Sequence, residues 1–133
     1  MSRREAERIL DGAAERLGAP SGEVVVVWTG DPEIRALNRT FRGKDHPTDV
    51  LSFPDGRAEP RLPARIGDIV ISISTARRNA RMDGRALRRE AAHLLVHGFL
   101  HLLGYDHEVD DGEMEDLEKR LLSDLNVATR TKP

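Results

Sequence analysis

Apolar positions recur at two different periods along this chain. Across residues 3–17, Ile9, Leu10, Ala13, Ala14 and Leu17 fall on one side of a 3.6-residue repeat, and Gly18 and Pro20 follow. The pattern predicts an amphipathic helix with a glycine stop. Residues 24–28 are a continuous apolar run rich in valine, which reads as a buried strand. Asp31, Pro32 and Glu33 then supply an N-cap residue, a proline at the first helical position and an acid in the first turn. The helix they open is expected to bury Ile34, Leu37 and Phe41. A loop over 43–47 leads to a second strand over 50–53, stopped by Pro54, and residues 54–66 read as an irregular connection rich in proline. Residues 68–73 put Ile69, Ile71 and Ile73 on one face of a strand. Ser74 or Thr75 opens a short helix that Asp83-Gly84 breaks. A long helix over 85–103 ends at Gly104, and a last one over 111–125 carries Met114, Leu117, Leu121 and Leu125 on one stripe.

Helices interspersed with short strands predict an α+β fold. The expectation is a single domain over residues 1–133, with a small mixed sheet of about four strands packed against about five or six helices. Composition agrees with a folded chain: 38% of residues are hydrophobic and 33% charged. Cysteine is absent, which excludes disulfides and thiolate metal sites and leaves histidines and carboxylates as the only strong ligands. The N-terminal residues are charged, with no apolar leader, and the longest uncharged stretch, 91–105, is too short for a span of ~20 residues. A cytoplasmic protein without a membrane partner is expected. The net charge of −2 is unevenly spread. Arg77, Arg78, Arg81, Arg85, Arg88 and Arg89 crowd one segment, which could meet a phosphate backbone or simply form a solvated surface.

The chemistry concentrates in the long helix. Four of the five histidines, His93, His97, His101 and His107, fall within fifteen residues. His97 and His101 are four apart, so their imidazoles leave one helix face about one turn apart and can reach one ion at ~2.0–2.1 Å. His93 lies two turns from His101, ~12 Å along the axis, and cannot complete that site. Gly104 supplies a left-handed residue that ends the helix, and His107 follows at the distance needed to return. Three histidines and one open position result. Zinc, one ion per chain, suits these ligands, and a water in the open position would have its pKa drawn toward ~7. His93 is expected to line the site as a hydrogen-bonding group, and Asp106 to orient an imidazole. His46, alone in its loop, reads as solvated.

The array H-x-x-x-H-x-x-G-x-x-H matches the metal-ligand spacing of the metzincin proteases, which carry a glutamate after the first histidine as general base. Gly98 stands at that position here, so ordinary peptide hydrolysis lacks its proton acceptor. The fuller string from His97 to His107, H-G-F-L-H-L-L-G-Y-D-H, resembles the signature of the YbeY family, bacterial endoribonucleases of rRNA maturation and ribosome quality control. Residues 37–54, L-N-R-T-F-R-G-K-D-H-P-T-D-V-L-S-F-P, resemble that family's second characteristic stretch, and residues 67–72 a third. The resemblance implies zinc on His97, His101 and His107, a functional arginine at Arg42, a small mixed sheet packed with helices, and RNA, ribosomal RNA in particular, rather than DNA as partner.

Read physically, Arg42 follows Phe41 at a helix end, where a guanidinium could grip a phosphate bidentately and stabilise charge on phosphoryl oxygens. Lys44 could add a point charge, and Ser52 and His93 could line the same cleft as substrate-binding groups. Metal-assisted phosphodiester cleavage is the reaction expected. Two alternatives from other classes stay open: another zinc hydrolase acting on peptides or esters, and a non-catalytic ribosome-associated module with structural zinc. A substrate panel separates the first, and a fourth protein ligand in place of water would mark the second.

Overall fold

The computed structural model describes residues 1–20, 22–56, 64–106, 108 and 110–125. Helix α1, Arg3–Leu17, begins where the Ser2 hydroxyl accepts the Glu5 N–H at 3.1 Å and ends at Gly18, whose φ of 62° is the left-handed stop expected of a glycine there. Its buried positions, Ala6, Ile9 and Ala13, follow the predicted stripe.

Three strands form one mixed sheet in the order β1-β3-β2: β1, Glu23–Thr29; β2, Val50–Pro54; and β3, Arg65–Ser72. The expected fourth strand is absent from the described residues, and residues 57–63 of the proline-rich connection lie outside them. Strand β3 is central, parallel to β1 with Trp28 opposite Ile71, and antiparallel to β2 with Leu51 opposite Val70. Its alternation decides which helix covers which face. Ile69 and Ile71 point into the main core, whereas Val70 joins Ile34 and Leu51 in a smaller cluster on the opposite face.

The valine run of β1 departs from its sequence reading. It is an edge strand, and Val25, Val27 and Trp28 are 37%, 41% and 37% exposed. The smaller cluster beneath α2, Asp31–Arg42, reaches only β2 and β3, so the β1 face that carries Val25 and Val27 has no helix over it among the described residues, while Trp28 alternates to the other face, beside Ile71, Ile73 and Ala76. Phe41 is likewise 64% exposed, with an edge-to-face contact to Phe53 at a ring-centroid distance of 5.2 Å.

Asp31 also differs from its expected role. The N-cap of α2 is Gly30, and the Asp31 carboxylate is used across space instead, accepting from Ser72 Oγ, Thr75 Oγ1 and Arg78 Nη2, each at 2.6 Å. Ser72 is at the same time the N-cap of α3, Ile73–Met82. One carboxylate therefore ties the starts of two helices together.

The main core is built around α4, Leu87–Leu102, which packs on α1, α3, the sheet and α5, Glu113–Asp124. Leu95, Val96, Phe99 and Leu100 are essentially inaccessible. Truncating a residue such as Phe99 to alanine costs about 3–5 kcal/mol at sites of this kind. A helix buried on nearly every side must satisfy any polar group it carries, which makes its histidines informative.

Candidate metal centre

His93, His97 and His101 succeed one another at four-residue intervals along one side of α4. The Nε2 atoms of His97 and His101 lie 3.1 Å apart. Two nitrogens on one tetrahedral ion at ~2.1 Å stand about 3.4 Å apart, so this pair already has nearly the separation that shared coordination demands. The other nitrogen of His97, Nδ1, is in hydrogen-bond contact with Oε1 of Glu118 from α5. The donor and acceptor roles in this contact follow the His97 tautomer: where the carboxylate accepts, the imidazole proton is on Nδ1 and Nε2 keeps the lone pair.

Past His101 the helix closes through a turn. Gly104 adopts a φ of 98°, its N–H donates to the His101 carbonyl at 3.0 Å, and Tyr105 N–H donates to Leu100 at 3.1 Å. The chain thus turns back after the second histidine as its glycine predicts. His107 lies outside the described residues.

A second grouping is present in the same place. His93, His97 and Glu118 bring ligand atoms within 4.8 Å of one another and could hold a metal ion. Here His93 Nε2 stands 4.0 Å from Glu118 Oε2. The direct contact of Glu118 with His97 Nδ1 is the geometry of a hydrogen bond rather than of two atoms separated by an ion. The Nε2 side of His97 faces His101 instead. Asp106, expected to orient an imidazole, uses Oδ1 to accept the Glu108 N–H at 3.0 Å. The carboxylate in contact with His97 is that of Glu118. Sequence reasoning passed over it, although a signal existed: it is an acid lying between Met114 and Leu121 in the apolar stripe of α5.

The remaining candidates are spread around this centre. Ser52 Oγ donates to the Gly98 carbonyl at 2.8 Å, which fastens β2 to α4 one residue beyond His97. Arg42 is the last residue of α2, exposed, and forms no ion pair among the described residues. Lys44 is exposed in the loop that follows, its N–H donating to the Asn38 carbonyl at 3.3 Å. His46 is exposed as expected, with Nδ1 3.1 Å from its neighbour's carbonyl. The arginine cluster is partly consumed internally: Arg78 pairs with Asp31, Arg85 with Asp83 and Glu90, and Arg88 with Glu5. Arg89 instead lines a polar cleft of about 500 Å³ that His93, Glu118, Asn79 and Lys119 also border.

With this geometry in view, the comparisons with known proteins are decisive on family. A family profile described as Endoribonuclease YbeY matches residues 1–126. The chain belongs to the YbeY family. YbeY relatives include Endoribonuclease YbeY from Chelativorans sp. (strain BNC1), 45% identical over 126 residues that cover 91% of this chain and 77% of the relative. The Endoribonuclease YbeY of Solibacter usitatus (strain Ellin6076) is 50% identical over 112 residues, covering 84% and 70%. Among solved structures, the solution structure of TM1509 from Thermotoga maritima superposes with a TM-score of 0.61 at 32% identity, covering 90% of this chain and 77% of that one. The YbeY assignment agrees with the three motif stretches read from the sequence, and it makes the histidine-bearing α4 the element to which function should be traced.

Proposed function

We propose that this chain is a zinc-dependent endoribonuclease that cleaves ribosomal RNA during its maturation and in ribosome quality control. His97, His101 and His107 are its metal ligands in this reading, and Arg42 acts on the substrate phosphate. Endonucleolytic cleavage of RNA follows from membership of the YbeY endoribonucleases. The observation that carries the metal assignment is the 3.1 Å separation of the His97 and His101 Nε2 atoms, with Glu118 engaging the far side of the His97 ring. The residues present fit the ion: neutral imidazoles with an outer carboxylate are a common environment for zinc. When bound, zinc supplies Lewis acidity toward a phosphoryl oxygen or an attacking water.

The chain's own residues do the rest. The exposed Arg42 guanidinium can hold a phosphate through two parallel N–H donors and offset charge that builds on its oxygens. Lys44, two residues on, adds positive potential beside it. The cleft beside His93 sets Arg85, Arg89 and Lys119 against Asp49, Asp83, Glu90, Glu115 and Glu118, so the phosphate contact in this reading falls to Arg42 and Lys44. No helix of the described residues is long and apolar enough to cross a membrane. Action on ribosomal subunits in the cytoplasm, by one domain carrying both the metal and Arg42, completes the proposal. The test is cleavage of purified ribosomal RNA by metal-loaded protein, with His101→Ala as control. Cleavage by the wild type alone supports the reading, and equal cleavage by both proteins overturns it.

A further inference from the structure

Glu118 is a buried carboxylate, 5% exposed, on a helix face otherwise made of Met114, Leu121 and Leu122. A charge in such surroundings is retained only if specific partners compensate its lost hydration. Both oxygens of Glu118 turn to histidines of α4: Oε1 to His97 Nδ1 in hydrogen-bond contact, and Oε2 to His93 Nε2 at 4.0 Å. The two imidazoles are one helical turn apart, with ring centroids separated by 6.1 Å. Glu118 therefore reaches across one turn of α4 and joins the metal face of that helix to α5.

We infer that Glu118 is a positioning residue: it sets the tautomer and ring orientation of His97, and so makes metal affinity depend on the seating of α5. The reasoning is chemical. A neutral imidazole carries one N–H, and only its bare nitrogen can bind a cation. In water the two tautomers interconvert freely, so a histidine with no fixed partner offers Nε2 only part of the time. The Glu118 carboxylate accepts from Nδ1, keeps the proton there, and aims Nε2 at the point shared with His101. The inference rests on His97 and His101 binding the ion through Nε2.

The test uses the full chain in metal-free form. Zinc affinity is measured by competition with a chromophoric chelator for the wild type and for Glu118→Gln, Glu118→Ala, His93→Ala and His101→Ala. Long-range proton–nitrogen NMR reports the His97 tautomer. The expected wild-type state is protonated at Nδ1 and bare at Nε2. Glu118→Gln keeps the shape and an acceptor oxygen but no charge, and its affinity should fall by roughly tenfold; Glu118→Ala should fall by about 10–100-fold, the range for lost outer partners of metal ligands. His101→Ala should bind no zinc at the same concentrations, whereas His93→Ala should bind within a few-fold of wild type. Wild-type affinity in both Glu118 variants, with His101→Ala inactive in binding, overturns the role of Glu118 alone. Wild-type affinity in His101→Ala overturns the three-histidine reading beneath it. A loss in His93→Ala as complete as in His101→Ala makes Glu118 a direct ligand in the His93–His97–Glu118 group and overturns the proposal. A His97 protonated at Nε2 in the metal-free wild type does so independently of how any variant folds.

Discussion

The hydroxyl of Ser52 donates to the backbone carbonyl of Gly98 at 2.8 Å, so the residue after the first histidine lies hard against the sheet. A Cβ added at Gly98 would come within 2.8 Å of Ile69 Cγ2, 3.1 Å of Ser52 Oγ and 3.3 Å of Val50 Cγ2. The glycine that replaces the metzincin glutamate is thus a packing requirement of this fold as well as a missing base. Gly98→Ala should lower stability by about 1–3 kcal/mol, the range for overpacking a tight contact, because the better helix propensity of alanine offsets only about 1 kcal/mol. Denaturant midpoints check this. Gly98→Glu should be worse folded and gain no activity on casein; a stable variant that digests casein would overturn the packing account.

Ser52 itself follows from the same contact. Removing its hydroxyl in Ser52→Ala should cost about 0.5–1.5 kcal/mol, the net worth of one hydrogen bond, with RNA cleavage otherwise retained. A large loss of cleavage at unchanged stability would instead make Ser52 a substrate contact.

Metal analysis of protein purified without added metal should find near-stoichiometric zinc, retained in His46→Ala and lost in His101→Ala. A chelator should abolish RNA cleavage, and zinc added back should restore it, which distinguishes this activity from a metal-independent contaminant. Cleavage that survives chelation removes the metal from the reaction.

Arg42→Ala should keep fold and zinc content while losing cleavage by roughly 10²-fold or more, the scale of an electrostatic transition-state donor. The side chain is exposed and forms no ion pair among the described residues, so little stability is at stake. Arg42→Lys should rescue poorly, because an ammonium cannot reproduce a bidentate fork. Wild-type rates in Arg42→Ala would leave the arginine without a catalytic task.

The junction at Asp31 gives a pH signature. Hydrogen bonds from Ser72, Thr75 and Arg78 hold its carboxyl at about 2, below the ordinary 3.8. The folded value is depressed, so the stabilisation is fully present above pH ~4 and is lost as pH falls from there through about 2. Its size is on the order of 1–2 kcal/mol once solvent screening of a partly exposed site is allowed for. Asp31→Asn should be less stable than wild type at pH 6 by that amount, with the gap closing near pH 2 in urea titrations. An equal gap at both pH values would show that the ionised form is not what matters.

What the sequence determined by itself is what backbone geometry settles locally. A four-residue spacing on a helix places His97 and His101 on one face whatever surrounds them, and Gly18 and Gly104 end their helices because a positive φ costs glycine almost nothing. The family was legible for the same reason, since its motifs are contiguous strings. Tertiary packing decided the rest. Glu118 meets His97 from 21 residues away and Asp31 meets Ser72 from 41, distances over which no periodicity carries information. The run of valines in β1 reads as buried, yet its place at the sheet edge beyond the reach of α2 leaves it half in solvent. Hydrophobicity says only that a segment can be buried; the order of strands and the helix above them decide whether it is.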